Sequence, residues 1–286
     1  MPNKIKVLHI VQSLETGGLE NGIVNLVNRS SIDQFQVDVL CLRAKGELAQ
    51  RITNVNSQII FDGNGNESIK VAIDKVRSTC RQGQYHIIHA HGWTTMLAGY
   101  VGGKLARTPV IMNGEHGTLY FDTWRRRLFQ RFLFNRMALN LTVSSALKEE
   151  IKQRFGVSGK NFKAIINGVD IDKFKPASEE ERSTIRQSLG FTDEHFIVGC
   201  VGRLAQVKNY PSLIHGFSIA ANKNSDIRLV FAGDGPMRQE LEMLASELGV
   251  AEQVLFLGRR DDVPTLMNVY DIFVQPSFRE GLSNTI

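Results

Sequence analysis

Arg203 and Lys208 are the clearest candidates for chemistry: two basic side chains following an apolar run that ends in Val201-Gly202. Cations fixed across a short loop can grip the oxygens of a diphosphate, the guanidinium in bidentate fashion. A second joint, Ala232-Gly233-Asp234-Gly235-Pro236, has proline where a helix begins. A third, Gly258-Arg259-Arg260-Asp261-Asp262-Val263-Pro264, also precedes a helical pattern, and a fourth, Glu280-Gly281-Leu282-Ser283-Asn284-Thr285, follows the last apolar run. Four such joints along one sheet edge would form an elongated pocket, with Glu280 at its rim able to bind diol hydroxyls.

The first half offers different groups. Gly17 and Gly18 sit between an apolar run and a helical pattern, where backbone can approach a phosphate or sugar hydroxyl closely. A flexible turn is the plainer reading, and the G-x-G-x-x-G dinucleotide fingerprint is absent. His89 and His91 have the alternation of a metal pair on one strand face, but no third and fourth ligand accompanies them in sequence, so no metal is expected. One of the two can equally be a core histidine. Glu115-His116, in a short polar loop, is better suited to a substrate hydroxyl.

Trp124–Arg136 combines Arg125, Arg126, Arg127, Arg131 and Arg136 with Trp124, Phe129, Phe132 and Phe134. A basic aromatic helix suits an anionic membrane surface, and the alternative is a solvated arginine face over a core stripe. No recognised motif adds nucleic acid as a partner. Asp170-Ile171-Asp172 matches a cation-binding D-x-D pair but falls in a turn, and Gly102-Gly103-Lys104 lacks the Ser/Thr of a P-loop.

These groups need a scaffold. Short β-branched runs alternate with amphipathic segments of helical length along all 286 residues, a length that suits two domains. Strands are expected at Ile5–Gln12, Gln36–Leu42, Gln58–Asp62, His86–His91, Val110–Asn113, Asn140–Ser144 and Lys163–Ile166, then at Phe196–Val201, Arg228–Ala232, Gln253–Leu257 and Ile272–Gln275. Continuous apolar strands such as IVGCV imply sheets covered on both faces, hence parallel strands with right-handed helical crossovers. Ligands in such doubly wound sheets lie beyond the strands' carboxyl ends. The composition shifts near Asn167–Pro176, giving domains 1–168 and 169–286. Charge shifts there too: 24 basic and 14 acidic residues up to Lys175 leave +10, and the remainder carries −5. The basic half favours an anionic partner. No run is apolar enough to span a bilayer, the N-terminus lacks a small-residue cleavage site, and the three cysteines are solitary. Together these features predict a cytoplasmic, reduced protein.

Taken in order, the segments HIVQSLETGGLENGIVNL, GEHG, VSSALKEEI, INGVDIDKFKP, VGRLAQVKN, FAGDGPMR and VLFLGRRDDVPTLMNVYDIFVQPSFREGLSNTI resemble the family 4 glycosyltransferases, retaining enzymes of the GT-B fold. The GGLENG variant is similar to sugar transferases of bacterial exopolysaccharide clusters. The resemblance implies two Rossmann-like domains, the first binding a glycan or lipid-linked acceptor and the second a UDP- or GDP-linked sugar, with catalysis in the cleft and no metal or other cofactor. Arg203 and Lys208 would hold the donor diphosphate and stabilise the leaving nucleotide. Gly17 and Gly18 would lie against the donor, His116 would contact the transferred sugar, and Glu280 would bind its hydroxyls. The base would lie near Arg259 and Val263, and Gly202, Gly233, Leu282, Ser283, Asn284 and Thr285 would complete the donor loops. Retention in this family proceeds by front-face attack assisted by the leaving phosphate, so no protein nucleophile is assigned.

The family motif also implies a second glutamate at position 288, two residues past Ile286. The expectation is therefore a second domain that is incomplete and a chain with weakened or absent transfer, peripheral at the inner face of the plasma membrane through Trp124–Arg136. The competing readings are a non-catalytic acceptor- or membrane-binding fragment and a GT-B nucleotide-sugar epimerase.

Overall fold

The computed structural model describes residues 4–61, 68–117 and 123–283. The chain divides into two compact units, Met1–Asn167 and Gly168–Ile286.

In the first unit the elements run β1 (Ile5–Ser13), α1 (Gly18–Arg29), β2 (Phe35–Ala44), β3 (Ile59–Ile60), α2 (Ile69–Gly83), β4 (Ile87–His91), α3 (Trp93–Ala106) and β5 (Val110–Glu115). They continue through α4 (Trp124–Arg136), β6 (Leu139–Thr142), α5 (Ser145–Phe155) and β7 (Phe162–Ala164). Among the described residues these strands form a sheet in the order β3-β2-β1-β4-β5-β6-β7, with β1 parallel to both β2 and β4. Leu8, His9, Ile10 and Val11 are successive buried residues of β1, so both faces of the strand are covered, as its unbroken apolar sequence requires. Strand order reverses between β1 and β4, the position where a doubly wound sheet opens a crevice beyond its carboxyl edge. His9, His89 and His91 occupy these two strands, and register places His9 directly opposite His89.

The second unit comprises α6 (Glu179–Ser188), β8 (Phe196–Val201), α7 (Tyr210–Ala221), β9 (Ile227–Ala232), α8 (Arg238–Glu247), β10 (Val254–Phe256), α9 (Val263–Met267) and β11 (Ile272–Phe273). Its parallel sheet runs β10-β9-β8-β11, with the reversal between β8 and β11. Val198, Cys200, Leu229 and Phe231 face α7 and α8, while Ile197, Val201, Val230 and Ala232 pack against Leu266, Val269 and Tyr270 on the other face.

Element boundaries move where loop contacts compete with propensity. The helix expected from Pro236 begins at Arg238, because Met237 N–H donates to Leu204 carbonyl across the loop at 3.0 Å. The last strand ends at Phe273, although Val274 N–H extends the pairing by one bond to Gly199 carbonyl at 2.8 Å. The third expected strand shrinks to Ile59–Ile60, and its terminal Asp62 lies outside the described residues. Asp170 and Asp172 form a turn in which Asp172 N–H donates to Asp170 Oδ1, and Gly102-Gly103-Lys104 lies inside α3. Cys41, Cys80 and Cys200 are buried free thiols. Among the described residues no helix is long and apolar enough to cross a membrane.

Candidate active site

In the first unit, the adjacent strands β1, β4 and β5 bring four imidazoles together, His9 and His89 from mid-strand, His91 from the end of β4 and His116 from just beyond β5. His9 Nδ1 lies 2.9 Å from His91 Nε2, and His91 Nδ1 lies 3.0 Å from His116 Nε2. The His89 ring packs beside His91 at 4.2 Å between centroids, and its buried Nε2 has no partner among the described residues. Burial penalises the imidazolium, so His9 and His116 are lowered to about 4, and His89 and His91 fall well below the ordinary histidine value. All four are neutral near pH 7.

Gly114 provides the room for this packing. A Cβ there would lie 3.0 Å from His89 Nε2 and His91 Nδ1 and 3.1 Å from His116 Nε2. On the same strand, Glu115 is buried and its carboxyl is pushed up to about 7 by burial, partly opposed by the amide of Asn113, which donates to Oε1 at 3.0 Å. Glu115 and His116 line a cavity of about 170 Å³ with Gly18, His91, Thr142 and Asn167. Gly18 opens α1 on an extended Gly17 with no side-chain cap, whereas Ser68, Thr123 and Ser144 each cap the helix they precede. The first turn of α1 thus brings backbone N–H groups and the positive end of its dipole to the cavity wall.

Sequence spacing expected no third ligand beside the His89/His91 pair; the structure places a third imidazole there, that of His9. Ring nitrogens of His9, His89 and His91 lie within 4.8 Å of one another. The closest two, on His9 and His91, stand at hydrogen-bonding distance, 2.9 Å, whereas tetrahedral zinc with bonds of roughly 2.0–2.1 Å needs a separation of about 3.3 Å. His9 is hidden in the sequence within an apolar strand, and only the pairing of β1 with β4 reveals it. Asn113 and Gly114 are hidden for the same reason.

In the second unit, glycines let consecutive loops meet. Gly202 N–H donates to Ala232 carbonyl at 3.0 Å, Leu204 N–H to Asp234 carbonyl at 3.0 Å, and Gly233 N–H to Gly258 carbonyl at 2.7 Å. Gly233 has φ +146°, and a Cβ there would lie 2.0 Å from Gly202 carbonyl oxygen, so both geometry and space demand glycine. A one-turn 3₁₀ helix, Gln206–Lys208, then aims Lys208 back toward Gly202, where an added Cβ would lie 3.7 Å from Lys208 Nζ.

Lys208 Nζ meets Glu280 Oε1 at 2.6 Å, and the same oxygen accepts from Ser277 Oγ at 2.7 Å and Gln275 Nε2 at 3.1 Å. Burial would raise the Glu280 carboxyl, but Lys208, Ser277 and Gln275 together hold it below the ordinary value. The structure thus brings Lys208, Gly202 and Glu280 together, with Ser277 and Gln275 as supports that the sequence reading did not single out. Arg203 is exposed, Arg259 is exposed between β10 and α9, and Val263 opens α9 half-buried. Leu282 and Ser283 are half-buried, while Asn284 and Thr285 lie outside the described residues.

α4 presents Trp124, Leu128, Phe129 and Phe132 to solvent, Trp124 at 68% exposure, and buries only Gln130, Leu133 and Phe134. The guanidinium of Arg126 sits 4.8 Å over the Trp93 ring, and that of Arg136 sits 5.0 Å over Phe132.

This architecture recurs in known proteins. The chain is 29% identical over 292 residues to EpsF of Bacillus subtilis, covering 97% of this chain and 74% of that protein. It is 25% identical over 295 residues to an Escherichia coli UDP-Gal:alpha-D-GlcNAc-diphosphoundecaprenol alpha-1,3-galactosyltransferase, covering 98% and 75%. The crystal structure of Anabaena Alr3699/HepE in complex with UDP-glucose superposes with a TM-score of 0.80 at 24% identity, covering 96% of this chain and 74% of that one. That likeness carries the fold, two Rossmann-like parallel-sheet units of the GT-B type. Residues 16–173 match the Glycosyltransferase Family 4 profile and residues 181–286 match Glycosyl transferases group 1, so the chain belongs to glycosyltransferase family 4.

Proposed function

We propose that this glycosyltransferase moves a sugar from a UDP-linked donor, with retention, to a lipid-diphosphate-linked glycan acceptor in polysaccharide biosynthesis. The observation that carries the reading is the Lys208–Glu280 pair, a cation and a carboxylate held side by side, with the lysine beside Gly202. A donor diphosphate matches the cation, and the hydroxyls of its sugar match the carboxylate. The choice of UDP rests on the Anabaena protein, which was crystallised with UDP-glucose, and on the E. coli relative, whose name specifies UDP-Gal.

In this reading the second unit binds the donor. Arg203 and Lys208 take up charge as the glycosidic C–O bond breaks and the diphosphate leaves, an electrostatic stabilisation greatest in the transition state. Glu280, fixed by Ser277 and Gln275, orients the sugar. Arg259 and Val263 flank the base, Gly202 leaves room beside Lys208 for the diphosphate, and Gly233 lets its own loop close on Gly202. The first unit binds the acceptor, Gly17 and Gly18 let the backbone approach the donor, and His116 meets a hydroxyl of the transferred sugar. No protein nucleophile is assigned, because the leaving phosphate can accept the acceptor's proton.

The exposed aromatics and five arginines of α4 support peripheral contact with an anionic membrane, where a lipid-linked acceptor resides. Sedimentation with phosphatidylglycerol vesicles, and its loss in Trp124→Glu with Phe129→Glu, tests this contact; equal binding to phosphatidylcholine contradicts it.

The function is tested by incubating the chain with UDP-glucose, UDP-galactose or GDP-mannose, with and without undecaprenyl-diphosphate-linked GlcNAc. Acceptor-dependent UDP release that Lys208→Ala abolishes is expected. A chain that neither binds nor releases UDP from any of the donors contradicts the reading, binding without release favours the non-catalytic fragment, and donor turnover to an epimerised sugar without UDP release favours an epimerase.

A further inference from the structure

A neutral imidazole has one N–H donor and one lone-pair acceptor. His91 commits both, Nε2 to His9 Nδ1 and Nδ1 to His116 Nε2. With all three rings uncharged, each of the two bonds contains one proton, so His91 must donate in one and accept in the other. Two arrangements satisfy this condition. In the first, His9 Nδ1–H donates to His91 Nε2, His91 Nδ1–H donates to His116 Nε2, and His116 keeps its own proton on Nδ1. In the second, His116 Nε2–H donates to His91 Nδ1, His91 Nε2–H donates to His9 Nδ1, and His116 Nδ1 is a bare acceptor. Within either arrangement the three rings share one tautomer.

We propose that His9 and His91 are positioning residues that hold the ring orientation of His116 and tie its tautomer to their own, and so decide whether its Nδ1 offers the ligand a donor or an acceptor. The inference deepens the reading of His116 as the residue that meets the transferred sugar, and its functional half rests on that reading. The packing supports such a lock. His9 and His91 are buried at 2% and 4% exposure, so water does not compete for their nitrogens. The rings of His9 and His91 are stacked within 13° of parallel, and the Gly114 backbone closes over the His91–His116 bond with no space for a side chain. A sugar hydroxyl can donate or accept, so a fixed Nδ1 imposes the hydroxyl's direction and favours donors that present it.

Seven histidines make the test tractable by long-range ¹H–¹⁵N correlation on the histidine-labelled chain. The expected result is that His9, His91 and His116 are neutral at pH 7 and share one tautomer. In His9→Phe, His116 should lose its single tautomer while His86, His195 and His215 keep their signals, which shows that the fold is intact. His91→Phe should have the same effect and provides a second route if His9→Phe fails to fold. Mixed tautomers among the three rings of the parent overturn the proposal, as does an unaltered His116 in both variants. In the transfer assay His9→Phe should lower kcat by roughly ten- to a hundredfold with donor KM unchanged, as a misoriented contact does. Undiminished transfer by His116→Ala instead overturns the functional reading of His116, a failure distinct from that of the tautomer lock.

Discussion

Lys208 Nζ stands 2.6 Å from Glu280 Oε1, so two groups that the sequence reading expects to serve separate parts of a donor neutralise each other. The sequence positions are 72 residues apart and come together because β11 pairs with β8, which sets the loop after one strand beside the loop after the other. In the proposed function a donor diphosphate would compete with Glu280 for Lys208, and the sugar would then offer the freed carboxylate its hydroxyls. Glu280 is held below its ordinary value, so the stabilisation is complete above about pH 4.5 and is lost only as pH falls through the lowered value.

Removing the competitor separates the two roles. Glu280→Gln should bind free UDP about fivefold more tightly, the equivalent of about 1 kcal/mol for a partly exposed pair, while sugar transfer falls. Calorimetric titration with UDP and the transfer assay measure the two effects; equal UDP affinity in parent and variant contradicts the competition.

Glu115 makes stability depend on pH in the opposite sense to Glu280. Its folded value, raised to about 7 by burial, exceeds the ordinary 4.5, so the folded state retains a proton that the unfolded chain releases. As far as this group is concerned, stability is greatest below pH 4.5 and declines as pH rises to about 7. A shift of that size corresponds to roughly 3 kcal/mol. Glu115→Gln removes the dependence, so the urea midpoints of parent and variant should diverge in the variant's favour between about pH 5 and about pH 8. Parallel pH profiles would show that Glu115 ionises normally.

Asp271 anchors the second unit's sheet. It accepts from Arg182 Nη2 at 2.5 Å, Arg186 Nη2 at 3.1 Å and Ile197 N–H at 2.6 Å, and the Arg186 side chain is 2% exposed. Asp271→Ala leaves a buried guanidinium without its carboxylate and should cost about 3–5 kcal/mol, read from chemical denaturation. A loss under about 1 kcal/mol would place the arginine charge in solvent rather than in the core.

Much of the fold was legible because buried parallel strands and amphipathic crossovers write two distinct periods into the chain. Runs such as Phe196–Val201 coincide with observed strands, since no loop contact competes with them. The start of α8 was not legible, because Met237 is held by a hydrogen bond to Leu204, a partner remote in sequence. The site divided in the same way. Lys208, Glu280 and His116 stand in loops whose composition marks them, but their partners do not. His9 lies in an apolar strand, and its relation to His91 exists only after β1 and β4 pair. Likewise, the need for glycine at Gly114 is set by the imidazoles of His89 and His91 on the neighbouring strand and of His116 just beyond β5, not by any turn preference.

In the proposed donor site Lys208, with Arg203, holds the diphosphate. Calorimetric titration of UDP into the parent chain, Lys208→Ala and Arg203→Ala tests it most directly, because it requires neither an acceptor nor turnover. Measurable binding by the parent and a loss of at least about tenfold in each variant are expected, as for removal of a charge-assisted contact. Equal UDP affinity in all three chains would contradict it.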